Sequence, residues 1–282
     1  MRKIVIPTDF SENAMNALRY AAELFKYEHS CFFIIHVYAD EVYNTSTLAS
    51  QDVFEKLKEM MHKTSDIALE KVCSTIQQVS PNPRHNYTIL SKFGNLTNEL
   101  NDLVNQENID IIVMGTKGKT NDRKLTFGSN TLQVLKHVNC PLLAIPDNCS
   151  YHRPKNILFP TNYLLPFKRR ELKLLNTLTK SFRSIIHFLH VSNYNKLSIR
   201  QKDNKKFLKT SLPDIELVFH NEDAEDLTAA INVFIRKNTI DFLVMINSRH
   251  SYLESILYQS AIDKIGLHIK IPFLAMQNLE RS

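Results

Sequence analysis

Short aliphatic runs recur along the first half of the chain. Residues 3–8, 31–37, 86–91, 110–115 and 141–145 read KIVIPT, CFFIIHV, NYTILS, DIIVMG and PLLAI. The apolar positions in these runs do not alternate with polar ones, a pattern that predicts strands buried on both faces of a parallel sheet. Between them the period changes to that of a helix. Ser11 precedes a stretch with Ala14, Leu18, Ala21, Ala22 and Phe25 on one side, predicting an N-cap and a core-facing stripe. Asn95 stands in the same relation to a helix carrying Leu96, Leu100, Leu103 and Val104 on one face. The resulting order, β-α-β-α-β-α-β-α-β, predicts a doubly wound, Rossmann-like α/β sheet with right-handed crossovers. Ligands of such sheets bind at the carboxyl ends of the strands, where the strand order reverses.

The pattern then repeats. KIVIPTD (3–9) returns as KNILFPTN (155–162), FFIIHV (32–37) as IHFLHV (186–191), and LTNELNDLVNQENID (96–110) as LTAAINVFIRKNTID (227–241). The last pair runs on without a gap into IIVM (111–114) and FLVM (242–245), and CPLLAIP (140–146) returns as IPFLAMQ (271–277). Matched blocks in the same order imply a duplicated domain. The offset falls from 153–154 residues to 131, so the second copy is about 22 residues shorter, the loss lying opposite residues 42–80. The expected domains are 1–147 and 154–278, joined by the polar stretch DNCSYHRP. A length of 282 residues fits two domains of ordinary size.

Composition narrows the class. With 43% apolar and 23% charged residues the chain can bury a core. No run approaches the ~18 consecutive apolar residues of a membrane span. The apolar run Ile4-Val5-Ile6 after Met1-Arg2-Lys3 is too short for a signal-peptide core, and Cys31, Cys73, Cys140 and Cys149 form neither CxxC spacing nor a dense framework. A cytoplasmic protein with reduced thiols is expected. Residues 1–150 carry 15 Lys/Arg against 17 Asp/Glu, and residues 151–282 carry 20 against 12. The basic second half offers a surface for nucleic acid, an anionic membrane or an acidic protein partner, although charge that mainly solubilises is the preferred reading. Its most basic stretch, 196–209, reads as the exposed face of a shortened helix. Nothing interleaves aromatic with basic residues as a single-strand nucleic-acid binder requires.

The chemistry concentrates in glycine. Of five glycines, Gly115, Gly118 and Gly128 fall within 14 residues, in MGTKGKTNDRKLTFGSN (114–130). The cluster follows a predicted strand and precedes a predicted helix at Ser129. Glycine permits positive φ, expected at Gly115 and Gly118, and close backbone approach to a ligand. Successive N–H groups form an anion nest, and the helix opened by Gly128-Ser129-Asn130 presents free N–H groups to a phosphate. Lys119, Arg123 and Lys124 lie in the intervening loop and suit phosphate charge. Asp9 ends the first strand and suits a ribose hydroxyl or a metal. The spacing is not that of a Walker A loop, which needs four residues between its glycines, nor that of GxGxxG. Among eleven histidines none forms HExxH or another ligand spacing, and no GxSxG elbow or nucleophile–base set is present.

The spacing G-x2-G-x9-G-S after a strand, with Pro7-Thr8-Asp9-Phe10-Ser11 at the amino terminus, resembles the ATP-binding signature of the universal stress protein family. The resemblance covers nearly the whole chain as two successive copies. It implies an adenine-nucleotide alpha-hydrolase-like fold, with five parallel strands per domain in the order 3-2-1-4-5. It implies a site of Pro7, Thr8, Asp9, Val37, Met114, Gly115, Gly118, Lys119, Gly128, Ser129 and Asn130. Asp9 would face ribose, the Val37 backbone adenine and the 115–130 loop the phosphates, with Mg²⁺ arriving on the nucleotide. It also implies a role in stress response, and dimerisation through the last strand. In this chain that pairing would join the two copies, with a further homodimer open.

The second copy departs from the pattern. Gapless alignment sets Ile246 opposite Gly115, Arg249 opposite Gly118 and Gln259 opposite Gly128, with Asn162 for Asp9; only Ser260 persists, opposite Ser129. This copy is therefore expected not to bind ATP in the family's manner, although Arg249 and His250 suit another anion. The chain reads as an ATP-binding sensor or regulator with its nucleotide in the first domain. A slow ATPase, an adenylyl-transfer enzyme and a nucleotide-free scaffold are the alternatives.

Overall fold

The computed structural model of the protein describes residues 1–45, 50–118, 127–164, 167, 169–192, 196–248, 251–259 and 269–277. They divide into two compact units, the first comprising Met1–Asp122 and Phe127–Tyr151 and the second built on His152–Ser282.

In the first unit the elements run β1 (Arg2–Pro7), α1 (Glu12–Leu24), β2 (Ser30–Val37), α2 (Ala39–Thr45), α3 (Gln51–Val79), β3 (His85–Lys92), α4 (Leu96–Glu107), β4 (Ile111–Gly115), α5 (Ser129–His137) and β5 (Leu142–Ile145). The strands are parallel in the order β3-β2-β1-β4-β5. The order reverses between β1 and β4, as expected of a doubly wound sheet. Ile4, Val5, Ile6, Ile111, Ile112 and Val113 are fully buried, which explains their unbroken apolar runs.

The helices form where local chemistry favours them. The Ser11 hydroxyl accepts from the N–H of Ala14, and α1 buries Ala14, Ala17, Leu18, Ala21 and Ala22 against the sheet. The Asn95 side chain accepts from the N–H groups of Thr97 and Asn98, and α4 buries Leu100, Leu103 and Val104. Each such cap is worth about 1 kcal/mol. Over its 29 residues α3 buries only Ser65, Leu69 and Ile76. It is the largely solvated helix that makes the first copy longer.

The second unit runs β6 (Asn156–Pro160), α6 (Arg169–Phe182), β7 (Ile185–Val191), α7 (Ile199–Ser211), β8 (Glu216–Glu222), α8 (Leu227–Lys237), β9 (Phe242–Asn247), α9 (Tyr252–Gln259) and β10 (Phe273–Gln277). Its parallel strands lie in the order β8-β7-β6-β9-β10, the 3-2-1-4-5 arrangement again. Helix α7 has 13 residues and buries only Leu208, so the basic stretch is mainly solvated.

The likeness between the two units reaches single backbone angles. Phe10 has φ 65° and its counterpart Tyr163 φ 55°. A bulky residue held there costs on the order of 1–3 kcal/mol. Matching turns hold both: Phe10 N–H donates to Thr8 Oγ1 at 3.0 Å, and Tyr163 N–H to Thr161 Oγ1 at 3.1 Å. Asn108 after α4 and Thr239 after α8 form a second left-handed pair, with φ 53° and 49°.

Candidate functional site

A cleft of about 500 Å³ opens in the first unit beyond the carboxyl ends of β1 and β4. Of the eleven residues singled out from the sequence, ten line it: Pro7, Thr8, Asp9, Val37, Met114, Gly115, Gly118, Gly128, Ser129 and Asn130. Lys119 lies outside the described residues, as do Arg123 and Lys124. The cleft thus gathers the ends of three strands, the turn after β1 and the first turn of α5, segments far apart in the chain.

Gly115 and Gly118 act by close approach and not by unusual backbone angles. No described glycine has positive φ, contrary to the expectation for Gly115 and Gly118. At Gly115 and Gly118 space is the constraint. A Cβ on Gly115 would sit 3.2 Å from the Asn13 carbonyl oxygen and 3.1 Å from that of Lys117, both backbone atoms. A Cβ on Gly118 would lie 2.6 Å from Asp9 Oδ2.

Asp9 is oriented locally. Its Oδ1 accepts from Ser11 N–H at 3.1 Å and from the Ser11 hydroxyl at 2.6 Å. The same hydroxyl accepts from Ala14 N–H, so the carboxylate is tied to the cap of α1. Opposite, α5 begins at Gly128 without a side-chain cap, and Ser129, Asn130 and Thr131 of its first turn line the cleft. Its first N–H groups therefore point their partial positive charge into the opening.

Val37 supplies the other polar feature. The Ile35 carbonyl accepts from Thr8 N–H at 2.9 Å. Two residues on, Val37 turns its N–H and C=O to the same side, past the end of β1 and onto the cleft. The two groups present an adjacent donor and acceptor.

Several lining residues were not read from the sequence. Asp40, Glu41 and Asn44 reach the cleft from α2, a helix of seven residues whose short polar sequence carried no periodic signal. Lys117 also lines it, with Nζ 3.7 Å from Asp147 Oδ2 and both side chains largely buried. His36 is 4% exposed, 3.0 Å through Nδ1 from Ser65 Oγ and 3.6 Å through Nε2 from Glu41 Oε1.

Among its described residues the second unit shows a much smaller opening. Its corresponding space is about 10 Å³, lined by Pro160, Thr161, Asn162, Ile246, Ser251 and Tyr252, room for at most one water. Ile246 brings a buried side chain to the position of Gly115. Tyr163 is fully buried at the position of Phe10. The Tyr252 hydroxyl donates to the Val191 carbonyl at 2.7 Å and accepts from Val191 N–H at 3.1 Å. Val191 is the counterpart of Val37, so a protein side chain satisfies the donor–acceptor pair that the first unit leaves open. Burial pushes this hydroxyl up to about 12, so it keeps the proton it donates.

Helix α9 starts at Tyr252, eight residues before Ser260. The aligned serine is thus not where this helix begins, because the second copy winds helix over positions that precede α5 in the first. Ser260, Arg249 and His250 lie outside the described residues.

Among the described residues no group of three or more His, Cys, Asp or Glu side chains is placed to hold a metal ion. No described helix is long and apolar enough to cross a membrane. Cys31 and Cys140 are buried thiols and Cys73 and Cys149 half-buried thiols, none of them in a disulfide among the described residues.

The sequence profile of the universal stress protein family matches residues 1–146. Universal stress protein MJ0531 of Methanocaldococcus jannaschii is 30% identical over 147 residues, 51% of this chain and 81% of that protein. Universal stress protein MJ0577 of the same organism is 27% identical over 153 residues, 51% of this chain and 94% of that one. The crystal structure of a universal stress protein from Archaeoglobus fulgidus covers 98% of this chain and 96% of its own, with a TM-score of 0.69 at 16% identity, a likeness of fold across both units. With its first unit matched end to end and its fold shared throughout, the chain belongs to the universal stress protein family.

Proposed function

We propose that the protein is an ATP-binding stress-response sensor or regulator whose first unit holds the nucleotide and whose second unit does not. The observation that carries this reading is the contrast between equivalent positions. In the first unit the Val37 N–H and C=O, the uncapped turn of α5 and the glycine approaches all face one cleft of about 500 Å³. In the second, Tyr252 and Ile246 take up the same positions.

The cleft suits each part of ATP. Adenine presents a ring-nitrogen acceptor beside an amino donor on its pairing edge, the complement of the Val37 N–H and C=O. Asp9, held by Ser11, suits a ribose hydroxyl. The first turn of α5 suits phosphate oxygens, because its unpaired N–H groups and helix dipole favour negative charge. Ser129 and Asn130 add side-chain hydrogen-bonding groups at the same turn. Mg²⁺ would arrive on the phosphates, which usually supply most of its ligands.

The test is calorimetric titration of ATP into the wild-type chain and into Gly118→Val/Gly128→Val, with phosphate release followed in parallel. Binding to wild type that is lost in the double variant, with little phosphate released, supports a sensor. Turnover at about 1–10³ s⁻¹, ordinary for enzymes, would instead make the cleft an active site. No binding to wild type would leave an interaction scaffold.

A further inference from the structure

The second unit carries a pair of histidines that sequence spacing conceals. His187 on β7 and His220 on β8 are 33 residues apart, yet His187 Nδ1 lies 3.1 Å from His220 Nε2. Their rings are stacked at 26°, with centroids 5.3 Å apart, and both pack against Phe234 of α8. Both side chains are half-buried.

The fold does not require imidazole here. In the matching strands of the first unit, register places Phe33 opposite the His187 position and Leu90 opposite the His220 position. Two apolar residues fill the place there. The second copy has replaced both with the side chain that most often binds d-block metals.

Neighbours set the tautomer. The Asn156 side-chain N–H₂ donates to the Thr239 carbonyl at 3.5 Å, which turns Asn156 Oδ1 toward His187 Nε2 at 3.4 Å. His187 therefore carries its hydrogen on Nε2 and offers a lone pair at Nδ1, toward His220. An outer acceptor on the non-ligating nitrogen is the usual support of a metal-binding histidine. In the metal-free protein His220 Nε2 therefore donates to His187 Nδ1 at 3.1 Å; a cation displaces that hydrogen, and His220 then carries its proton on Nδ1, which makes no hydrogen bond among the described residues, leaving Nε2 a second lone pair. Burial lowers the affinity of both rings for a second proton. Glu216 and Glu222 lie near His187 and His220 respectively and add negative potential.

The spacing fits a chelate. Nitrogen ligands sit ~2.0–2.1 Å from such an ion. Two nitrogens 3.1 Å apart then subtend about 98° at it, between the square-planar and tetrahedral angles. We propose that His187 Nδ1 and His220 Nε2 form a bidentate site for a divalent d-block cation, Cu²⁺ in preference to Ni²⁺ or Zn²⁺, completed by water. With two protein ligands the site is open and exchangeable, in contrast to closed structural zinc. Mg²⁺, an oxygen-seeking ion, does not take it.

The experiment titrates CuCl₂, NiCl₂, ZnCl₂ and MgCl₂ separately into the full nucleotide-free chain after chelator treatment. Calorimetry reads stoichiometry, and electron paramagnetic resonance reads the nitrogens bound to Cu²⁺. The variants are His187→Phe and His220→Leu, the residues the first unit carries at these positions. One equivalent of Cu²⁺ bound through two nitrogens, at least tenfold weaker in each variant and with no uptake of Mg²⁺, is the expected result. Equal Cu²⁺ affinity in wild type and both variants overturns the proposal, as does the absence of a stoichiometric site in wild type. Should either variant fail to fold, the imidazole nuclear magnetic resonance signals of wild type decide: Zn²⁺ must shift two histidines together, and shifts confined to other histidines overturn it.

Discussion

Replacing Gly118 with alanine adds one methyl group 2.6 Å from Asp9 Oδ2, where ordinary contact begins at 3.4 Å. The carboxylate must withdraw by about 0.8 Å, the difference between those distances. It is not free to do so. Oδ1 is held by the Ser11 hydroxyl at 2.6 Å and by Ser11 N–H at 3.1 Å, and that hydroxyl caps α1. Turning Asp9 off its rotamer costs about 0.5–1.5 kcal/mol, and a weakened cap about 1 kcal/mol. A stability loss of about 1.5–2.5 kcal/mol is therefore expected in urea denaturation. The larger effect is on the nucleotide. If Asp9 accepts from ribose, losing that charge-assisted bond costs about 1.5–3 kcal/mol, a Kd roughly 10- to 100-fold weaker. Calorimetric titration of ATP into Gly118→Ala, Asp9→Ala and the double variant isolates the cause. Once Asp9 is gone the methyl group has nothing to displace, so Gly118→Ala should add little to Asp9→Ala. Wild-type affinity in Gly118→Ala, or penalties that add to within about 0.5 kcal/mol, would refute the route through Asp9.

Two further predictions concern the second unit and pH. Tyr252→Phe removes the hydroxyl that serves both backbone groups of Val191, and it should cost about 1–3 kcal/mol in urea denaturation without creating an ATP site; an unchanged midpoint would show that water replaces the hydroxyl freely. Burial lowers the pKa of His85 and His190 from the usual value. The unfolded chain therefore binds protons at these groups more readily than the folded one. Their contribution is full above the ordinary histidine pKa of ~6.5 and is lost as pH falls below it, by at most about 1.4 kcal/mol per pH unit for each group. Thermal unfolding at pH 7.5 and pH 5.5 checks this: the melting temperature should drop on acidification, and a rise would contradict the sign.

Much of this architecture is legible in the sequence because its cause is local or periodic. Buried parallel strands announce themselves as unbroken aliphatic runs, and Ser11 and Asn95 cap the helices they precede. The glycine cluster was legible because glycine is scarce elsewhere in the chain. The reason for those glycines was not. Close approach of Asp9 to Gly118 and of Asn13 to Gly115 depends on how β1 and β4 are placed, which no local pattern encodes. The acidic wall from α2 escaped notice because seven residues are too few to establish a helical period. Loss of the glycines gave reason to doubt the second copy as an ATP site, but the plug itself was invisible. Tyr252 meets Val191 across 61 residues, and its helix starts ahead of the aligned position. The His187–His220 pair was hidden in the same way, since only strand register brings the rings together.

The central claim is that one of two duplicated units has kept a nucleotide cleft and the other has filled its own. Equilibrium dialysis of the full chain against saturating radiolabelled ATP measures it most directly, as moles of nucleotide bound per mole of chain. The account predicts one. Two would show that Tyr252 and Ile246 yield to the ligand, and none would show that the open cleft of the first unit is not a nucleotide site.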